Sequence, residues 1–110
     1  MKMKVLHIEE NHPSLIEGLN LLGLQNDLAL DVSLPEVLAK IGAYDGLILR
    51  SKFKIDKTFL LHARNLKFIG RLGVGLDNIN LNNCKKLKIH VQPATGMNAD
   101  AVAEYVICLL

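Results

Sequence analysis

Apolar residues fall in short continuous runs, separated by stretches of helical spacing, and the alternation repeats five times along the chain. Lys4-Val5-Leu6-His7-Ile8 predicts a first strand. Glu9-Glu10-Asn11-His12-Pro13 follows as a polar turn whose proline suits the first turn of a helix. From Ser14 to Leu22, the residues Leu15, Ile16, Leu19 and Leu22 share one helical face, and Gly23 marks a stop. Leu28 to Val32 predicts a short second strand, and Pro35 to Ile41 a short helix ending near Gly42. Tyr44 to Leu49 predicts a third strand whose apolar stretch suits a central position buried on both faces. Asp56 can cap a helix through about Arg64, with Leu60, Leu61 and Ala63 facing inward. Leu66 to Leu72 is the fourth predicted strand, Leu81 to Leu87 a short helix, and Lys88 to Val91 the fifth strand. A last helix starts near Asn98 and runs to Leu110.

Strands alternating with helices predict an α/β fold: a doubly wound parallel five-stranded sheet with helices on both faces, flavodoxin-like in size. The length of 110 residues fits one domain, and 50% hydrophobic residues suffice for a core. The final stretch, Asp100 to Leu110, is strongly apolar and carries no glycine, proline or cationic turn to end it. Such a helix needs a partner surface, so we expect either a chain cut inside a helix or a second chain covering this end.

Charge narrows the function classes. A net charge of +2 with 22% charged residues excludes a disordered tail and argues against a nucleic-acid binder. Lys52/Lys54/Lys57 and Lys85/Lys86/Lys88 read as solvated surface. No apolar run is long enough for a membrane span and no signal-peptide pattern opens the chain. Cys84 and Cys108, far apart and without metal spacing, read as structural thiols in a reducing compartment, so a cytoplasmic protein is expected.

In open parallel sheets, ligands bind beyond the C-terminal ends of the strands. Arg50-Ser51-Lys52 follows the third strand, Arg71-Leu72-Gly73-Val74-Gly75 the fourth, and Gln92 to Asn98 the fifth. The expected sheet edge therefore gathers Arg50, Ser51, Arg71, the Gly73/Gly75 backbone and Asn98. Glycines let the backbone approach a ligand, successive amides form an anion-binding concavity, and guanidinium forks suit carboxylate or phosphate. A small organic anion is the expected ligand. Asn98 has an alternative role as a helix N-cap, Arg50 as a surface ion-pair partner, and Gly73 and Gly75 as a plain tight turn. The four histidines lie on separate elements; His7 and His90 read as packed strand residues, and only His12 lies in a loop on the site edge. No catalytic triad, carboxylate pair or metal spacing is apparent. Gly70-x-x-Gly73-x-Gly75 is not a dinucleotide fingerprint, because it follows the fourth strand in reversed spacing and the loop after the first strand has no glycine.

At these residues the chain resembles the D-isomer-specific 2-hydroxyacid dehydrogenases. Leu47-Ile48-Leu49-Arg50-Ser51 is similar to the family's apolar strand ending in Arg-Ser. Ile69-Gly70-Arg71-Leu72-Gly73-Val74-Gly75-Leu76-Asp77-Asn78-Ile79 is similar to its Gly-Arg-Ala-Gly-Val-Gly-Val-Asp-Asn-Ile signature. Asn98 and Val102-Ala103-Glu104 are similar to the opening of the helix that leads to the NAD domain. The departures are Leu72, where the family commonly has alanine, and Ala94 to Met97, where it tends to a Pro- and Gly-rich loop.

The resemblance implies that amides of the Gly73-Val74-Gly75 turn hold a substrate carboxylate. It implies that Arg50 and Arg71 approach a phosphorylated substrate, that Asn98 lies at an inter-domain cleft, and, more weakly, that Ser51 lines the site. Residues 1–97 would then be a substrate-binding unit and 98–110 the truncated start of an inter-domain helix. NAD and the acid-base residues would belong to a downstream domain absent from these residues, so no turnover is expected from the chain alone. The implied partner is a small phosphorylated 2-hydroxy acid; separately, the apolar face of helix 98–110 leads us to expect self-association with a second copy of the chain. Two rival readings are a non-catalytic flavodoxin-like module, either a phosphorelay receiver or a ligand sensor, and a scaffold or dimerisation module built on helix 98–110. The receiver reading fails where Arg50-Ser51 replaces a phospho-acceptor aspartate and Gln92-Pro93 replaces a lysine.

Overall fold

The computed structural model describes residues 3–9, 13–50, 53–72 and 78–94. Five parallel strands form one sheet: β1 (Lys4–His7), β2 (Gln25–Leu28), β3 (Gly46–Leu49), β4 (Phe68–Leu72) and β5 (His90–Ala94), in the order β2-β1-β3-β4-β5. Helices α1 (Pro13–Leu21), α2 (Leu34–Lys40), α3 (Lys57–His62) and α4 (Leu81–Lys86) fill the connections, with a 3₁₀ turn at Ile41–Ala43. This is the expected α/β fold. The strand order reverses between β1 and β3, which puts the topological switch point at their C-terminal ends.

Side-chain alternation splits the core into two layers. Leu6, Leu47, Leu49 and Ile69 pack in one cluster with Val37 of α2, Phe59 and Leu60 of α3, and Cys84 of α4. Val5, Ile48 and Phe68, of the opposite parity, are also fully buried, as is Leu19 of α1. β3 is buried along its whole length, as its apolar run predicted. Gly46 is required on this second layer: a Cβ there would overlap the ring of Phe68, its register partner on β4.

Local chemistry sets the helix ends. Ser33 and Glu36 form a reciprocal capping box at α2, Asp56 accepts from the Phe59 amide at 3.0 Å, and Asn80 accepts from the Asn83 amide at 3.1 Å. Gly23, at φ 84°, ends the segment after α1, as expected.

Several boundaries differ from the sequence expectation. β2 lies at Gln25–Leu28 rather than at Leu28 to Val32. It is an edge strand with no fully buried residue, so hydrophobicity does not mark it; Ala29 and Val32 instead pack against the core beyond its end. In α3, Phe59 and Leu60 face inward and Leu61 is 64% exposed, which corrects the expected inward set. β5 starts two residues late and runs through Pro93, which an edge strand admits because its outer side needs no N–H donor. The predicted helix from Asn98 to Leu110 lies outside the described residues. Among the described residues, no helix is long and apolar enough to cross a membrane.

Candidate functional site

Three loops converge at the C-terminal ends of β1, β3 and β4, and polar contacts hold them together. From the loop after β1, the Glu9 carboxylate accepts the backbone N–H of Arg50 at 3.0 Å. From the loop after β4, the Asn78 side-chain amide donates to the carbonyls of Arg50 at 3.1 Å and Phe53 at 3.0 Å. The backbone makes a parallel bridge between Ile55 and Ile79, with Ile55 N–H donating to Asn78 O at 2.7 Å and Asn80 N–H to Ile55 O at 2.9 Å. Both isoleucines are buried, so the polar clip sits on an apolar footing.

Arg71 enters this clip from the sheet. The register pairs it with Leu49 on β3 and Pro93 on β5, and it is only 8% exposed. Its Nε–H donates to Oδ1 of Asn78 at 2.9 Å. A buried guanidinium is costly unless it is hydrogen-bonded, and the carboxamide supplies one acceptor. The Asn78 amide is fixed in orientation by its partners: Oδ1 faces a donor, and both N–H groups face carbonyls. A flipped amide would oppose donor to donor and acceptor to acceptor.

The structure thus ties both expected arginines to one residue, in different ways. Arg71 is joined through its guanidinium, whereas Arg50 is joined through its backbone and its side chain is exposed. In the sequence Asn78 stands only as part of a motif, and its bridging role is not among the expectations. Asn-Ile following a glycine-rich stretch is the available signal. Ser51, Gly73, Val74, Gly75, Asn98 and His12 lie outside the described residues. Between the same two loops, Lys54, Ile55, Asp56, Asn78, Ile79 and Asn80 line a shallow hollow of about 270 Å³.

The other histidines read from the sequence take structural places. His7 is fully buried and its Nε2 pairs with Asn26 Oδ1 at 2.8 Å; burial lowers its pKa. His90 Nε2 pairs with Gln92 Oε1 at 3.0 Å. Burial pushes the Cys84 thiol up, as befits an inert core thiol. Among the described residues, no group of three His, Cys, Asp or Glu could hold a metal.

The chain belongs to the D-isomer specific 2-hydroxyacid dehydrogenases: the family's catalytic-domain profile matches residues 7–106. A D-3-phosphoglycerate dehydrogenase of Archaeoglobus fulgidus is 35% identical over 108 residues, covering 98% of this chain and 20% of that protein. An (S)-sulfolactate dehydrogenase of Chromohalobacter salexigens is 48% identical over 61 residues, 56% of this chain and 20% of its own. Among solved structures, NAD+-bound 3-phosphoglycerate dehydrogenase of Entamoeba histolytica superposes with a TM-score of 0.71 at 29% identity, covering 98% of this chain and 38% of that one. The chain therefore spans about a fifth of the length of these curated relatives.

Proposed function

We propose that these 110 residues are the substrate-binding part of an NAD-dependent D-2-hydroxyacid dehydrogenase, with D-3-phosphoglycerate as the substrate. The whole enzyme would oxidise the C2 hydroxyl to a ketone, giving 3-phosphohydroxypyruvate for serine biosynthesis in the cytoplasm. The observation that carries this reading is the Arg50–Asn78–Arg71 linkage at the switch-point edge of a family member's sheet. Two of the similar proteins are named for substrates that carry a second anionic group, phosphate or sulfonate, beside the hydroxy acid. An arginine next to a glycine-rich turn suits that pair of charges: amides for the carboxylate, guanidinium for the second anion.

The residues present do not fit NAD. The loop after β1 is Ile8-Glu9-Glu10-Asn11-His12-Pro13, without a glycine to bring backbone against a pyrophosphate. We assign the cofactor and the acid-base residues to a domain outside these residues. The part played here is to grip and orient the substrate, which lowers the entropic share of the barrier. Self-association through residues 98–110 belongs to the same proposal.

Titration of the ¹⁵N-labelled chain with D-3-phosphoglycerate tests the grip. The expected result is saturable shifts at Arg50, Arg71 and Asn78; an unchanged spectrum at saturating ligand overturns it. No NADH should form when NAD and D-3-phosphoglycerate are both supplied to the chain, and measured turnover would refute the division of labour.

A further inference from the structure

We infer that Asn78 is a positioning residue: it sets the direction of the Arg71 guanidinium and couples it to the loop that carries Arg50. Three bonds from one carboxamide support this. Oδ1 accepts from Arg71 Nε, and the two N–H groups close on the Arg50 and Phe53 carbonyls. The amide's donor capacity is then used up, so its plane is fixed by two segments at once. With Nε–H held by Asn78, the rest of the planar fork has a defined direction, which a bidentate contact to an anion requires. The backbone of Asn78 is itself anchored, since its carbonyl accepts from the buried Ile55 at 2.7 Å. Aspartate could keep the acceptor for Arg71 but would turn the donor side into an oxygen facing two carbonyls. Alanine loses both sides.

A purely structural asparagine and a positioning one differ in what they do to ligand choice. The comparison is D-3-phosphoglycerate against D-glycerate, which lacks the phosphate. If Asn78 acts through Arg71, Asn78→Ala weakens phosphoglycerate binding by about tenfold and glycerate by less than about twofold. In an Arg71→Ala background, adding Asn78→Ala changes phosphoglycerate affinity by less than about threefold, well short of its effect in the unsubstituted chain, since only the tie to the Arg50 loop is left to lose. Equal losses for both ligands, or additive losses in the double variant, overturn the proposal.

The ligand arm assumes that the chain grips a phosphorylated 2-hydroxy acid, as proposed above; a second arm does not. Hydrogen exchange of the Arg71 Nε–H in the unsubstituted chain should be slower by about tenfold or more than that of Arg64, whose side chain is exposed. Asn78→Asp should keep that protection and Asn78→Ala should lose it. If neither ligand binds the unsubstituted chain, the functional reading fails while the exchange data still decide the role of Asn78. Rapid Arg71 exchange in the unsubstituted chain overturns the proposal without any variant, including the case in which Asn78→Ala does not fold.

Discussion

Two polar networks bracket this sheet, and they are built from different chemistry. At the C-terminal edge of β3 and β4, Asn78 joins Arg71 to the Arg50 and Phe53 carbonyls, using a neutral carboxamide and a permanently charged guanidinium. At edge strand β2, the groups titrate. His7 pairs with Asn26, whose amide donates to Asn20 at 2.7 Å, and the Tyr44 hydroxyl donates to Asp27 at 2.6 Å. The first network joins the loops that follow β3 and β4 at the edge proposed to hold substrate. The second sews a strand with no fully buried residue onto β1 and onto the core residue Tyr44. Polar groups in the two places therefore carry different duties: joining the loops at the proposed substrate edge in one, attachment of an edge strand in the other.

Substitutions should separate those duties. The largest expected effect is on binding. Arg71→Ala should cost about 2–3 kcal/mol of affinity for D-3-phosphoglycerate, roughly a hundredfold, and far less for D-glycerate. Calorimetric titration of both ligands checks this; equal losses would remove Arg71 as the phosphate contact. Next comes Asn26→Ala, which removes one hydrogen-bond partner of buried His7 and should cost about 1–2 kcal/mol of folding stability in urea. It should leave ligand affinity unchanged, and a loss of affinity would show that the two networks are coupled.

The smallest effect at neutral pH is that of Tyr44→Phe, about 1 kcal/mol for one hydrogen bond. Its pH signature is more informative. Burial, helped by Asp27, pushes the Tyr44 phenol up to about 12 from 10.0. As pH rises past 10.0 the unfolded chain loses this proton first, so stability present below 10.0 should fall between 10.0 and about 12. Tyr44→Phe should abolish that fall. At the acid end, the Tyr44 hydroxyl holds the Asp27 carboxyl below 3.8, so its contribution is present above 3.8 and lost as pH drops through the lowered value. Burial also holds His7 below 6.5, so the unfolded state takes up a proton first and stability should decline as pH falls below 6.5. Chemical denaturation across this range, with and without Asn26→Ala and Tyr44→Phe, tests all three slopes. A profile indifferent to both substitutions would mean the β2 network does not set the pH response.

The two networks were also unequally legible. Gly70 to Ile79 carries a family motif in fixed order, and its position after the fourth strand is readable from the sequence. The β2 network left no such mark. Asn20, Asn26 and Asp27 are ordinary polar residues, and the hydrophobic pattern pointed to Leu28 to Val32 for the strand that Gln25–Leu28 forms. An edge strand gains most from backbone pairing and little from burial, so its residues need not look like a strand. Leu61 departs from its expected inward place for a related reason: over six residues of α3, several apolar positions compete for one inward stripe, and packing against α2 and α4 chooses Phe59 and Leu60.

The sequence by itself determined the alternation of strands and helices, the central burial of β3, the Asp56 cap, the stop at Gly23 and the family motif around Arg71. These depend on neighbours within a few residues, or on ordered motifs, and both are written along the chain. Only the tertiary structure decided that Gln25–Leu28 is the edge strand, that Gly46 yields space to Phe68, and that Asn78 reaches back some 25 residues to clip two loops. Those outcomes rest on contacts between segments distant in sequence, whose partners are set by sheet register and loop closure rather than by local pattern.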